Sequence, residues 1–219
     1  MSGVARRGST VQLPRGRHEL TREAVAASQR SRLLEGLAEA VAAKGYAATT
    51  VGDVVAAAAV SRRTFYEQFP DIEACFLAAH RAGMELLLDR IRAAVRGAGE
   101  IDWRARARVS IDAYLAELAA RPAATWAFSV EALGAGPRAL EQRAAVLQRW
   151  VAQWRALWEL AAAQAPSLPA VGDDHLLLLV GGIEELVRDC LRTRGAEHLP
   201  DLSARMTAMA VATLAGTAA

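Results

Sequence analysis

Cysteine is nearly missing from this 219-residue chain, and the two present, Cys75 and Cys190, lie far apart within apolar helical patterns. That spacing gives no disulfide framework and no zinc site, and it fits a reducing cytoplasm. Histidine is equally sparse: His18, His80, His175 and His198 are dispersed, and none has a metal-ligand or nucleophile–base spacing. An enzyme therefore finds little support, and neither a metal nor a cofactor is expected. His175 reads as a helix-start residue. Glycine and proline, 16 and 7, are too few and too scattered for a disordered or fibrous chain. The longest apolar run, Leu176 to Ile183, is far too short to span a bilayer, and Met1 to Arg17 lacks the apolar core of a signal peptide. The expectation is a soluble, cytoplasmic protein with no membrane partner.

Hydrophobic residues make up 53% of the chain, enough for a sizeable core in one domain or two small ones, and the wealth of Ala, Leu and Glu favours helix. Formal net charge is only +2, but it is unevenly spread. Met1 to Arg32 is the most basic part, with Arg6, Arg7, Arg15, Arg17, Arg22, Arg30 and Arg32 against Glu19 and Glu23, whereas the chain beyond Phe69 is slightly acidic. A polyanion at the N-terminal end is the simplest functional reading. The alternative is a solvated tail in a chain that uses arginine almost to the exclusion of lysine.

No stretch alternates convincingly as a strand, so the expected class is all-α with about nine helices. Residues 1–20 read as a flexible basic arm. The first helix opens at Thr21, whose hydroxyl caps the free N–H groups while Leu20 staples onto Val25. Leu33, Leu37 and Val41 make an apolar stripe with Leu34 and Ala38 beside it, and Lys44 and Gly45 end the helix, with Tyr46 folding back. Thr50 and Asp53 form a capping-box pattern for a second helix that runs to about Ala58; Ser61 caps a third carrying Phe65 and Phe69 inward. Helices this short do not persist alone, so the first must clamp them into one three-helix core. A fourth helix, about Asp71 to Arg96, is long enough to leave this head. Trp103 to Ala120, Ala123 to Leu133 and Arg138 to Gln164 follow, then one capped by Asp173 and one from Asp201 to Leu214.

Thr50 to Phe69 is the shape of a helix-turn-helix, whose second helix enters the DNA major groove by its N-terminal residues. Ser61, Arg62, Arg63, Thr64 and Tyr66 hold those positions. Arginines in a first helical turn oppose the helix dipole by about 0.3–1 kcal/mol each, so stability alone does not select them. Pairing with guanine or phosphate does account for them. Tyr66, Thr49 and Thr50 are further phosphate candidates. Residue by residue, the bland reading of packed Val60, Phe65 and Phe69 with solvated arginines stands beside this one.

The ordered set Tyr46, Thr50, Val54, Ala58, Val60, Ser61, Thr64, Phe65, Tyr66 and Phe69 closely resembles the DNA-binding domain of the TetR family of bacterial transcriptional regulators, over roughly residues 30–80. The resemblance implies a DNA-binding head over residues 21–70 and a ligand-binding and dimerisation domain over 71–219. Two positions depart from the family. Ala59 stands where the turn usually has glycine, and Ile72 where a lysine commonly anchors phosphate near the start of the fourth helix. Arg15, Arg17 and Arg22 are expected to compensate by following the backbone or entering the minor groove.

All five tryptophans lie between Trp103 and Trp158, and Trp150, Trp154 and Trp158 share one face of the seventh helix. Such a stripe is either core or the wall of a cavity. The resemblance implies a pocket for a small apolar or amphipathic effector among the fourth to eighth helices, with Trp103, Trp126, Phe128, Trp150 and Trp154 as lining candidates and Glu131 as a polar handle. The eighth helix carries apolar residues on more than one face, with Gly181 and Gly182 between them. Leu176, Leu179, Val180, Ile183 and Val187 are the candidates for a two-fold homodimer interface, the alternative being a helix buried within its own chain. The expected function is a ligand-responsive repressor that releases a pseudo-palindromic operator in double-stranded DNA when its effector binds. A regulator-like protein acting through protein contacts, or a small helical enzyme, are the competing readings.

Overall fold

The structure, a computed structural model, describes residues 21–216, and among these it shows α-helices and short 3-10 segments with no strand. Helix α1 spans Arg22–Lys44, and the Thr21 hydroxyl accepts the Ala24 N–H at 3.1 Å. The stapling residue Leu20, like the arm, lies outside the described residues. Helix α2, Val51–Ala58, opens with the full capping box of Thr50 and Asp53. Helix α3, Arg62–Gln68, is capped by the Ser61 hydroxyl on the Thr64 N–H at 3.0 Å.

What brings α1 and α2 together is the want of a side chain at Gly36. A Cβ there would stand 2.7 Å from the Ala58 nitrogen and 3.0 Å from the Val54 oxygen, so the two backbones touch. Leu33, Leu37, Val41, Val54 and Phe65 are fully buried around this crossing. The turn between α2 and α3 passes through Ala59 at φ 50° and ψ 48°, the left-handed conformation that glycine adopts without strain. It is the one non-glycine residue with positive φ among the described residues.

Helix α4, Ile72–Gly97, is capped by Asp71 and carries Phe76 into the head core and Leu87 and Leu88 beyond it. Helices α5, Trp103–Ala120, α6, Pro122–Ser129, and α7, Pro137–Gln164, follow. The expected sixth helix is shorter than its apolar pattern suggests, because the chain tightens into a 3-10 turn over Glu131–Gly134. Helices α8, Asp173–Thr193, and α9, Ser203–Ala215, complete the bundle. Gly172, not Asp173, occupies the N-cap of α8, and the segment Ala196–Leu202 is 3-10, so α9 starts two residues after Asp201.

The head core is larger than three helices. Ala127, Ala132, Ala135 and Ala139 from α6, the following turn and α7 pack into it against Phe76 and its neighbours. Small residues on that side let the head seat closely on the bundle. The larger core lies among α5, α7, α8 and α9 around Trp103, Leu115, Leu176, Leu199, Met206 and Leu214, each essentially inaccessible.

Candidate DNA interface and effector cavity

Helix α3 presents one face to solvent. Phe65 is buried, while Ser61, Arg62, Arg63 and Tyr66 are exposed and Thr64 is half-buried. Arg63 Nε donates to Glu67 Oε1 at 2.9 Å, a pair so exposed that it is weak and readily exchanged for another anion. The Arg62 guanidinium lies over the first turn of α2, where a Cβ at Gly52 would stand 3.0 Å from its Nη2. Both helix N-termini therefore converge on one surface with two guanidiniums. Behind it, Lys44 bonds Asp53 at 2.8 Å, and this bond with those from Thr50 holds the Asp53 carboxyl well below its ordinary range. Arg30 lies 4.4 Å from the Phe69 ring centre and reaches the Gln68 oxygen, and Arg32 reaches the Ala59 oxygen, both at 3.4 Å. These two arginines, which the charge count noticed only as part of a basic stretch, brace the turn and the end of α3.

The bundle holds a cavity of about 410 Å³ between α4, α5, α7, α8 and α9, within the size range of small-molecule sites. Leu88, Ile91, Val95, Ile111, Leu157 and Ile183 give it an apolar wall, and Trp150 and Trp154 face it as well. A second cavity of about 100 Å³ adjoins it and shares Tyr114, Trp150 and Glu184. There Glu184 pairs with Arg143 and with Arg188, and Phe128 stacks on His80 at 5.2 Å between ring centres. Phe128 also meets Phe76 edge-on at 5.4 Å, and Phe76 meets Tyr46 at 4.9 Å, so a row of rings runs from the inner cavity into the head.

A family model for bacterial regulatory proteins of the tetR family matches residues 33–79, the span from the buried face of α1 into α4. FadR from Bacillus subtilis, solved in complex with stearoyl-CoA, superposes with a TM-score of 0.74 at 14% identity, covering 84% of this chain and 98% of that one. FadR from Bacillus halodurans gives 0.75 at 16% identity over 86% and 95% of the two chains. A tetR-family regulatory protein from Rhodococcus RHA1 gives 0.67 at 22%, over 87% and 98%. These likenesses establish the fold. Over residues 33–79 the chain matches the TetR family, and beyond them the likeness is one of fold. No curated protein matches it at the sequence level.

On this fold the anticipated site residues separate into groups. Ser61, Arg62, Arg63, Thr64, Tyr66 and Thr50 share the head surface, with Arg22 exposed at the start of α1; Arg15 and Arg17 lie outside the described residues. Thr49 does not belong with them, because it is buried and its hydroxyl donates to the Gly45 oxygen at 2.8 Å. Trp150 and Trp154 line the main cavity and Phe128 the inner one, whereas Trp103 is sealed in the core and Trp126 packs against it. Glu131, anticipated as a polar handle, lines neither of these two cavities; its Oε2 accepts the Tyr46 N–H at 2.9 Å and ties the bundle to the head. Leu176, Val180 and Val187 point into their own chain's core, and Leu179 is nearly as buried. The outward face of α8 instead shows Leu178, 75% exposed, with Leu177, Gly182 and Leu186, and Met209 of α9 beside it. A helix wound at 3.6 residues per turn cannot turn Leu176, Val180 and Val187 to the same partner as Leu178. Of the anticipated interface set, Leu179 and Ile183 border this outer groove, and Ile183, half-buried, lines the cavity as well.

Proposed function

We propose that this protein is a dimeric transcriptional repressor whose operator affinity falls when an amphipathic effector fills the bundle cavity. The observation that carries this reading is the path of α4. One continuous helix packs Phe76 into the head core and lays Leu88, Ile91 and Val95 along the cavity, so an effector that displaces its distal half shifts the head. Ligand and DNA then oppose each other through one coupling free energy, equal in both directions. An amphipathic effector is supported by the mixed cavity wall and by the stearoyl-CoA held by the Bacillus subtilis relative.

For DNA, the proposal places Arg62 and Arg63 at base edges or phosphates, with Ser61, Thr64, Tyr66 and Thr50 around them. Two heads on a two-fold axis would meet the half-sites of a pseudo-palindromic operator. The dimer is supported by Gly181 and Gly182, where an added Cβ would meet nothing within 4 Å among the described residues. Their smallness serves no contact among the described residues and leaves α8 open to close approach by a second copy beside Leu178 and Met209.

Footprinting on neighbouring intergenic DNA at graded salt tests the reading. A protected, sequence-dependent site whose affinity falls steeply with salt is expected. Arg62→Ala should weaken it by about 1–3 kcal/mol if the guanidinium reads a base. An unchanged footprint from the Arg62→Ala, Arg63→Ala double variant would remove the proposed reading residues.

A further inference from the structure

We infer that the cavity takes a long-tailed amphiphile with an anionic head, and that Arg92, Arg96 and Arg106 form the receptor for that head. This rests on the cavity being an effector site and goes on to name the charge and orientation of what enters. All three arginines line the cavity, and all three are exposed at its rim. Arg96 and Arg106 have no ion pair among the described residues, and Arg92 has only an exposed bond to Asp89 at 3.2 Å on its own helix. Three guanidiniums gathered at one end of an apolar cavity repel one another, and an oxyanion in their midst relieves that repulsion through charge-assisted hydrogen bonds.

The other end is different in charge. Helices α4 and α5 join through the short connection after Gly97 and run back along each other, so Arg96 and Arg106 share one end while Leu88 and Tyr114 share the other. Eight residues of helix separate Arg106 from Tyr114, roughly 12 Å at 1.5 Å per residue. Between them the wall is Ile91, Val95, Ile111, Leu157 and Ile183. The acid at the inner end, Glu184, is neutralised by Arg143 and Arg188. An apolar tail is therefore favoured along the wall, and the unpaired positive charge lies only at the rim.

The full-length protein is titrated, below micelle-forming concentrations, with dodecanoate, dodecanoyl-CoA, CoA alone and dodecyltrimethylammonium, following Trp150 and Trp154 fluorescence and checking by calorimetry. Dodecanoate or dodecanoyl-CoA should bind about tenfold or more tightly than the ammonium compound. Replacing Arg92, Arg96 and Arg106 with alanine should abolish that preference without moving the melting temperature, since all three are surface residues. Binding of the carboxylate alone assigns free fatty acids, and binding of the thioester alone assigns acyl-CoA; either supports the inference. Equal affinity for the ammonium compound, CoA binding as tightly as its dodecanoyl ester, an unaltered preference in the triple variant, or no binding by any of the four overturns it. Operator affinity is measured in parallel. Anion-selective binding that leaves DNA affinity unchanged would sink the repressor reading and keep this one.

Discussion

Replacing Ala59 with glycine should stabilise the protein. Ala59 holds φ 50° and ψ 48°, which costs an L-residue with a Cβ about 1–2 kcal/mol. Glycine removes that cost but gains freedom in the unfolded chain, worth about 0.4–1 kcal/mol against it. Nothing else changes sign: the Ala59 methyl is exposed, its N–H still reaches the Ala56 oxygen at 3.3 Å, and its carbonyl still accepts from Arg32. The net is a gain of roughly 0.5–1 kcal/mol, which for a chain of this size raises the melting temperature by about 1–4 °C. Ala57→Gly is the matched control, exposed like Ala59 but inside α2, where glycine should destabilise by about 0.5–1 kcal/mol. Urea and thermal melts at one fixed protein concentration read both. If the two variants destabilise alike, the left-handed turn and the reasoning built on it are wrong.

Other consequences are equally open to measurement. Glu131→Ala strands the Tyr46 N–H and should cost about 1–3 kcal/mol in a urea melt, with Glu131→Gln, which keeps an acceptor oxygen, costing less. Burial pushes the His80 imidazole down to about 4, with Arg81 and Arg143 adding to the effect; its Nδ1 accepts from Gln142 Nε2, which also donates to the Leu77 oxygen. Protonation would set donor against donor. The stability linked to this histidine is therefore present above pH of about 6.5 and lost as pH falls towards 4, up to about 3 kcal/mol; His80→Leu melts should lack this pH dependence, so it appears in the difference between wild type and variant. Leu178→Glu places a charge on the outer face of α8 and should shift the protein towards monomer in sedimentation equilibrium while leaving the protomer fold intact; an unchanged mass would move the interface elsewhere.

Much of the head was legible without coordinates because its signals are local. Thr21, Thr50, Ser61 and Asp71 each stand beside the N–H groups they cap, and Leu33, Leu37 and Val41 recur at a spacing that only one helix face can satisfy. Ala59 could be marked as the strained residue because the family it resembles usually has glycine at that turn. The bundle was less legible, since apolar periodicity says that a residue is covered but not by what. Trp103 and Trp150 are the same residue type on the same kind of helix, yet one is sealed in the core and the other faces a cavity.

Helix number, the caps of the head, the choice of Arg62 and Arg63 as candidate DNA contacts and the family resemblance came from short-range chemistry in the chain. Packing across distant residues settled the remainder. It drew Glu131 to Tyr46, 85 residues away in sequence; it turned Leu176, Val180 and Val187 inward and Leu178 outward; and it gathered Arg92, Arg96 and Arg106 at one rim. Each of those outcomes depends on how α4 to α9 rotate about their own axes when they close on one another. A long helix that is apolar on several faces has more than one acceptable rotation until its neighbours are in place.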